Sequence, residues 1–300
     1  MRAFHCDHYA IPLPPGHRFP LTKYRLLRDR LVEEGVLAPS ELEEAGLVDR
    51  PSLLLAHAPG YVDAVFSGTL DDAALRRLGF PWSEGLVARS RASVFGTVAA
   101  AREALRDGFG GNLAGGTHHA FADHGNGFCV FNDIAVAARA LQREGLIDRA
   151  VIVDLDVHQG DGTASIFADD ESVFTFSMHG AKNFPFHKER SRLDIELPDH
   201  CGDTEYLEQL ERHLPRVLDA ARAQILFFQA GVDPLAEDAL GRLDLTLEGL
   251  RRRDRLVLQA ARARGLPLVL TLGGGYAKPI ELSVRAHLGT WVEARLAFGA

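Results

Sequence analysis

Residues 151–162, VIVDLDVHQGDG, constrain this chain more than any other stretch. The apolar run Val151 to Val153 passes straight into Asp154, Asp156 and His158, and then into Gly160 and Gly162. Such a β-branched run reads as a strand covered on both faces, as in a parallel sheet between helices. In an extended strand Asp154, Asp156 and His158 stand at i, i+2 and i+4 and therefore share one face. Two carboxylates and an imidazole on a buried face are costly unless compensated, and a bound cation is the simplest compensation. The bland alternative is an ordinary buried ion pair between Asp156 and His158, with Asp233 capping a loop.

Apolar runs of the same kind recur at 53–56, 112–114, 150–156, 173–178, 225–229 and 268–272. Between and around them, residues 22–34, 85–106, 132–144, 204–223, 246–264 and 281–296 carry apolar side chains at the three-to-four spacing of amphipathic helices. Strands alternating with helices predict an α/β fold: a single-domain, open, mostly parallel β-sheet flanked by helices. No linker, repeat or low-complexity tract divides the 300 residues, so one domain over 1–300 is expected. A net charge of -8 argues against a nucleic-acid partner. Cys6, Cys129 and Cys201 are odd in number and far apart, which disfavours a disulfide framework or a thiolate metal site. The start MRAFHCDHYA has no apolar core of a leader, and no run of 18 apolar residues occurs, so the expectation is a cytoplasmic protein with no membrane partner. The oligomeric state is left open.

In open parallel sheets, ligands bind beyond the carboxyl ends of the strands. The residues after the expected strands are titratable or polar: His118 and His119 in GGTHHA, His158 and Asp161, His179, Asp233 in AGVDPL, and Tyr276 after GGGY begins. Asp156, His158 and Asp233 together make a two-oxygen, one-nitrogen set that leaves a position for water, as in catalytic zinc sites. The same ligands suit iron(II) or manganese. One of His118 and His119 can take a proton from water while the other stays charged or orients it, with Asp154 and Asp161 as the available carboxylate partners. Both face one site only if Gly115 and Gly116 make a turn; otherwise they are surface histidines. Tyr276 can offer a phenol to a developing oxyanion, or can simply pack at a helix start. Phe128 and Phe184 would wall a narrow channel or merely fill the core. Cys129 reads as a packed thiol, and His17 and Arg18 in PPGHRFP as candidates to approach the site from the N-terminal loop.

At these residues the chain resembles the histone deacetylase superfamily, within the arginase/deacetylase fold, and its N-terminal segment resembles bacterial class IV members. GGTHHA, GFCVFND, VDLDVHQGDG, FSMH, GVDPLAEDALGRL and LGGGY occur in the family's order from His5 to Tyr276. The resemblance implies a zinc-dependent amidohydrolase that removes acetyl or longer acyl groups from N-acylated amines such as acyl-lysine. It implies one zinc on Asp156, His158 and Asp233, with iron(II) as an alternative. It matches His118 and His119 to the tandem catalytic histidines, Asp154 and Asp161 to their partners, and Tyr276 to the carbonyl-polarising tyrosine. Gly127, Phe128, Phe184 and Leu240 match the acyl-lysine channel. A structural potassium is implied at Asp154, Asp156, His158, Ser177 and Met178. Phe167 and Val173 fit a second monovalent-cation loop, but Asp170 stands where class I enzymes carry threonine. The loop FPWSEGL lacks a rim aspartate, which points away from a histone tail and toward another acylated protein or peptide, an acetylpolyamine or another small acylated amine. Two rival readings are a dinuclear arginase-like hydrolase, for which the motifs supply too few ligands, and a non-catalytic acyl-amine binder.

Overall fold

The computed structural model describes residues 1–299; Ala300, the last residue of the expected domain, lies outside them. Eight strands form one sheet: β1 (Arg2–His5), β2 (Leu42–Glu44), β3 (Phe109–Asn112), β4 (Ala150–Asp154), β5 (Val173–Gly180), β6 (Leu193–Leu197), β7 (Ile225–Gln229) and β8 (Leu268–Thr271). Ten α-helices accompany them: α1 (Thr22–Glu33), α2 (Arg50–Leu53), α3 (Pro59–Ser67), α4 (Asp72–Leu78), α5 (Glu84–Asp107), α6 (Asp133–Arg143), α7 (Asp161–Ile166), α8 (Asp203–Ala221), α9 (Leu247–Ala263) and α10 (Glu281–Phe298). The strand order is β2-β1-β3-β8-β7-β4-β5-β6, and every registered pairing is parallel.

Strand alternation splits the core in two. Val151 and Val153 of β4 and Leu226 and Phe228 of β7 join one apolar cluster, with residues of α1, α8, α9 and α10. Ala150, Ile152, Ile225 and Phe227 join the other, with residues of α3, α5 and α6. A strand buried on both faces must be apolar throughout, which is why β4 and β7 carry no polar residue before their last position. From β4 the chain proceeds outward to β5 and β6 on one side, then returns to β7 and β8 on the other. The carboxyl ends of β4 and β7 therefore flank a switch in strand order, where a crevice opens.

The six expected helices are present, each within two residues of its expected ends. The expected strand at 53–56 is wrong. Asp49 accepts the Ser52 N–H at 3.0 Å and Pro51 sits in the first turn, so this apolar stretch begins inside α2. The strand expected at 112–114 is shifted to β3, which ends at Asn112, and that expected at 150–156 stops at Asp154. The sheet is not mostly but wholly parallel. Strands β1, β2 and β6 were not anticipated; they are short, and β2 and β6 lie at the two edges with polar residues among few apolar ones.

Candidate metal centre

Asp154 of β4 stands in register with Gln229 of β7 on one side and Ser177 of β5 on the other. Beyond these ends the chain turns inward. One ligand atom each from Asp156, His158 and Asp233 lies within 4.8 Å of the others, and all three residues are buried. The reason for their convergence differs from the strand alternation expected above, because Asp156 and His158 lie past the end of β4. Backbone N–H groups gather the carboxylates instead: Asp154 Oδ1 accepts from Asp156 at 3.2 Å, and Asp156 Oδ1 accepts from His158 at 3.0 Å. Asp156 Oδ2 accepts from Gly274 at 2.7 Å, and Asp233 Oδ1 from Val157 at 2.9 Å. A Cβ on Gly231 would collide with the Asp156 carboxylate and one on Gly274 with that of Asp233, so glycine is what lets these loops close around the acids.

The donor set fits a divalent cation. His158 Nδ1 lies 3.0 Å from both Asp156 Oδ1 and Asp233 Oδ2. Burial opposes charge on that ring, but the two carboxylates outweigh it and lift the His158 pKa to about 10. Burial and the Asp156 charge push the Asp233 carboxyl up to about 7. Paired buried carboxylates thus demand a positive charge between them, and a metal would take it over from the imidazole with release of a proton.

His118 and His119 follow a turn in which Gly115 and Gly116 each adopt φ 74°, a left-handed conformation that glycine adopts without strain. The buried Asp133 at the start of α6 fixes that turn: it accepts the N–H groups of Gly116 at 3.0 Å and Thr117 at 2.7 Å and the Thr117 hydroxyl at 2.5 Å. Both imidazoles face the crevice, their ring centres 4.1 Å apart. His118 Nδ1 pairs with Asp154 Oδ2 at 2.7 Å, and His119 Nδ1 with Asp161 Oδ1 at 2.6 Å. The two environments split the pair. Burial disfavours charge on His118, but Asp154 and Asp156 overcome it and raise the pKa to about 9. Burial and the His118 charge hold His119 down at about 4, against the pull of Asp161. The two environments thus pull in opposite directions, toward a proton on His118 and away from one on His119.

Tyr276 lines the same cavity, and its backbone N–H donates to Asp238 Oδ2 at 2.6 Å. Burial raises its phenol pKa well above the ordinary value and keeps the hydroxyl a donor. The cavity measures about 500 Å³. Gly127, Phe128, Phe184 and Leu240 all line it. Phe128 has φ 66°, an uncommon conformation for a side-chain-bearing residue, maintained by its N–H bond to Leu78 O at 2.9 Å. Its ring packs 5.3 Å from Phe80 and 5.6 Å from Phe19, two wall residues that the sequence reading did not single out. The N-terminal loop does reach this region: His17 Nε2 lies 2.9 Å from Gly79 O, and Arg18 lines the cavity.

Ser177 of β5 stands in register with Asp154, and Met178 follows it in the same strand. His179 is inside β5 rather than after it and pairs with Ser177 Oγ at 2.8 Å. Asp170 forms an ion pair with Arg139 at 2.5 Å and accepts the Ser172 N–H at 2.7 Å, and the Arg139 guanidinium lies 4.9 Å from the Phe167 ring centre. Cys129 is buried, and burial raises its thiol pKa well above the ordinary value, as for a packed residue. Three buried cations were overlooked, Lys23, Arg253 and the cavity-lining Arg89. Lys23 donates to Gly273 O at 3.2 Å and Gly275 O at 3.3 Å, holding the loop before Tyr276. Arg253 donates to Leu155 O at 3.2 Å and Gly231 O at 2.5 Å, joining the loops after β4 and β7. The signal for Lys23 and Arg253 was available: Lys23 shares a helical stripe with Leu27 and Leu31, and Arg253 with Leu250 and Val257.

Residues 17–290 match the histone deacetylase domain model. An uncharacterized protein of Picosynechococcus is 50% identical over 284 residues, covering 95% of this chain and 94% of its own. Histone deacetylase 2 of Arabidopsis thaliana is 30% identical over 275 residues, covering 87% of this chain and 70% of its own. Among solved structures, a histone deacetylase homolog from Aquifex aeolicus superposes with a TM-score of 0.81 at 25% identity, covering 98% of this chain and 83% of that one.

Proposed function

The chain belongs to the histone deacetylase family, and on that premise we propose that it is a zinc-dependent deacylase of N-acylated amines. The observation that carries the reading is the convergence, in one cavity, of the Asp156–His158–Asp233 cluster, Tyr276 and two histidines, His118 and His119, each backed by its own aspartate. Asp156, His158 and Asp233 would hold the zinc, which when bound supplies Lewis acidity to a water molecule and to the acyl carbonyl. Iron(II) fits the same three ligands. A potassium ion beside it would be held by Asp154, Asp156, His158, Ser177 and Met178.

The acyl-amine side chain, from an acyl-lysine or a small acylated amine, enters between Phe128 and Phe184. His119 is neutral, with Nδ1–H committed to Asp161, so Nε2 is free to take the proton of the attacking water. His118 stays protonated against Asp154 and presents positive charge to the developing anion. The Tyr276 hydroxyl donates to the acyl oxygen as it gains charge. His119 then delivers its proton to the departing amine, which leaves neutral.

A fluorogenic acyl-lysine assay on the purified protein tests this, with and without chelator. Turnover is expected, lost with chelator and restored by zinc. Tyr276→Phe is expected to cost about 10²–10³-fold and His119→Ala about 10²–10⁴-fold, with zinc content unchanged. Near-normal turnover by both variants would sink the assignment. Acetyl, longer acyl and acetylpolyamine substrates in the same assay define the acyl group and amine.

A further inference from the structure

The mouth of the cavity has a charge pattern that the chemistry at its floor does not need. Arg18, Arg76, Arg77, Lys182 and Arg242 line it, all of them exposed. They come from four separate segments: the N-terminal loop, the end of α4, the loop after β5 and the loop after β7. The only carboxylates that line the cavity among the described residues are Asp156 and Asp233, the metal-ligand candidates at its floor. Lys182 and Arg242 share one carboxylate, Asp199, at 3.6 and 3.4 Å. No carboxylate of the described residues lies within 4.0 Å of the charged nitrogens of Arg18, Arg76 or Arg77. Arg77 Nε instead donates to Gly125 O at 3.4 Å, and Arg18 lies 6.0 Å from the centre of the Phe128 ring that walls the channel.

Arg76 and Arg77 stand in the last turn of α4, where basic residues complement the helix dipole. That accounts for two of the five cations and for none of the other three. The chain as a whole carries a net charge of -8, so this rim is a positive ring on a negative molecule. Such a ring concentrates anions at its entrance and repels cations.

We infer that the substrate is an acyl-lysine set among acidic residues, an acidic peptide segment whose carboxylates meet Arg18, Arg76, Arg77, Lys182 and Arg242 while the acyl-lysine side chain enters the channel. This rests on the deacylase reading above and names its substrate class. Cations spread over four segments around the opening fit several carboxylates on both sides of the lysine rather than one. A lysine- and arginine-rich segment would meet the same five charges as repulsion.

Three acyl-lysine peptides that differ only in flanking residues, acidic, neutral or basic, test the inference by kcat/KM and by fluorescence-anisotropy binding. At low ionic strength the acidic peptide is expected to exceed the basic one by about tenfold or more in both, and the ratio is expected to shrink as salt screens the rim. Charge reversal by Arg18→Glu with Arg76→Glu is expected to collapse or invert the ratio. Equal values for the acidic and basic peptides, or a ratio that the reversed variant leaves intact, overturns the inference. The neutral peptide separates the two ideas: failure of the wild-type protein to turn it over strikes the deacylase reading, while the binding ratio still decides the rim.

Discussion

Arg253→Met should be among the most damaging single substitutions in this protein, although Arg253 is placed behind the candidate metal ligands. Arg253 and Asp254 are both 0% exposed, and their charges meet at 2.7 Å. Removing the guanidinium leaves Asp254 buried with the Thr290 hydroxyl at 2.6 Å as its remaining partner. Breaking a buried pair in this way costs about 3–5 kcal/mol. The carbonyls of Leu155 and Gly231 lose their donor as well, at roughly 1–3 kcal/mol each. The total approaches the 5–15 kcal/mol that holds a typical domain together, so the variant should be marginal at pH 7. The double variant Arg253→Met with Asp254→Met removes the stranded charge and keeps only the carbonyl term, so it should be more stable than the single one. The pH dependence carries its own sign. Burial raises the Asp254 pKa, against the lowering influence of Arg253, and without that arginine it rises further. A carboxyl whose folded pKa is raised contributes stability below its unfolded pKa, about 3.9, and loses it as pH rises through the folded value. The deficit of Arg253→Met should therefore be largest at pH 7 and shrink toward pH 4. Urea unfolding of both variants across that range is the measurement, with zinc affinity by chelator competition as the second readout. A loss below about 1 kcal/mol at pH 7, or a deficit that grows on acidification, would refute the reasoning.

Three further outcomes are expected. His57 is buried, accepts the Asn132 N–H at 2.9 Å, and has its pKa lowered to about 4 by burial. Because the unfolded side chain titrates near 6.5, the His57 contribution to stability should fall by about 2 kcal/mol between pH 7 and pH 5, and the difference in urea midpoints should shrink in His57→Gln. Asp161→Asn removes the acceptor that fixes the His119 ring, so kcat should drop by about 10–100-fold with little change in KM, measured on a neutral acyl-lysine amide. Gly127 has φ 50°, and a Cβ there would lie 2.7 Å from His119 Cδ2. Gly127→Ala should therefore raise KM or abolish turnover while zinc binding, measured by chelator competition, stays near normal.

What the sequence revealed followed from periodicity. Long helices such as α5 and α9 declare their buried stripe over many turns, and fully buried strands such as β7 declare theirs by lacking polar residues. The short edge strands β2 and β6 were not legible, because LEE and LDIEL carry too few apolar residues to separate from loops. LLLA at 53–56 misled because apolar content does not distinguish a strand from a helical turn, and the deciding Asp49–Ser52 bond was local chemistry left unread. The metal-ligand candidates were legible as residues, but not the reason they meet. Strand alternation was the expected cause, whereas backbone N–H bonds beyond the strand end gather them. Lys23 and Arg253 escaped notice because charges on helices are ordinarily solvated, and only their position in an apolar stripe marks them as buried.

The two cations also explain why so much acid can be buried at this switch point. Asp154, Asp156, Asp161 and Asp233 are each at most 3% exposed, and four such carboxylates at one sheet edge would repel one another strongly. Backbone donors offset part of that repulsion at Asp154, Asp156 and Asp233. The remainder requires positive charge, which arrives from within the crevice through His118 and from below through Lys23 on α1 and Arg253 on α9, both helices packed on the same face of the sheet. Burial lowers the Lys23 pKa to about 8, yet Asp233, Asp238 and Asp156 hold it above neutral pH. The cationic groups beneath the acids neutralise the fold's own carboxylates, whereas the five cations of the rim above have only Asp199, shared by Lys182 and Arg242, among them. Positive charge in the first place stabilises the centre, whereas in the second it is left for a ligand to meet.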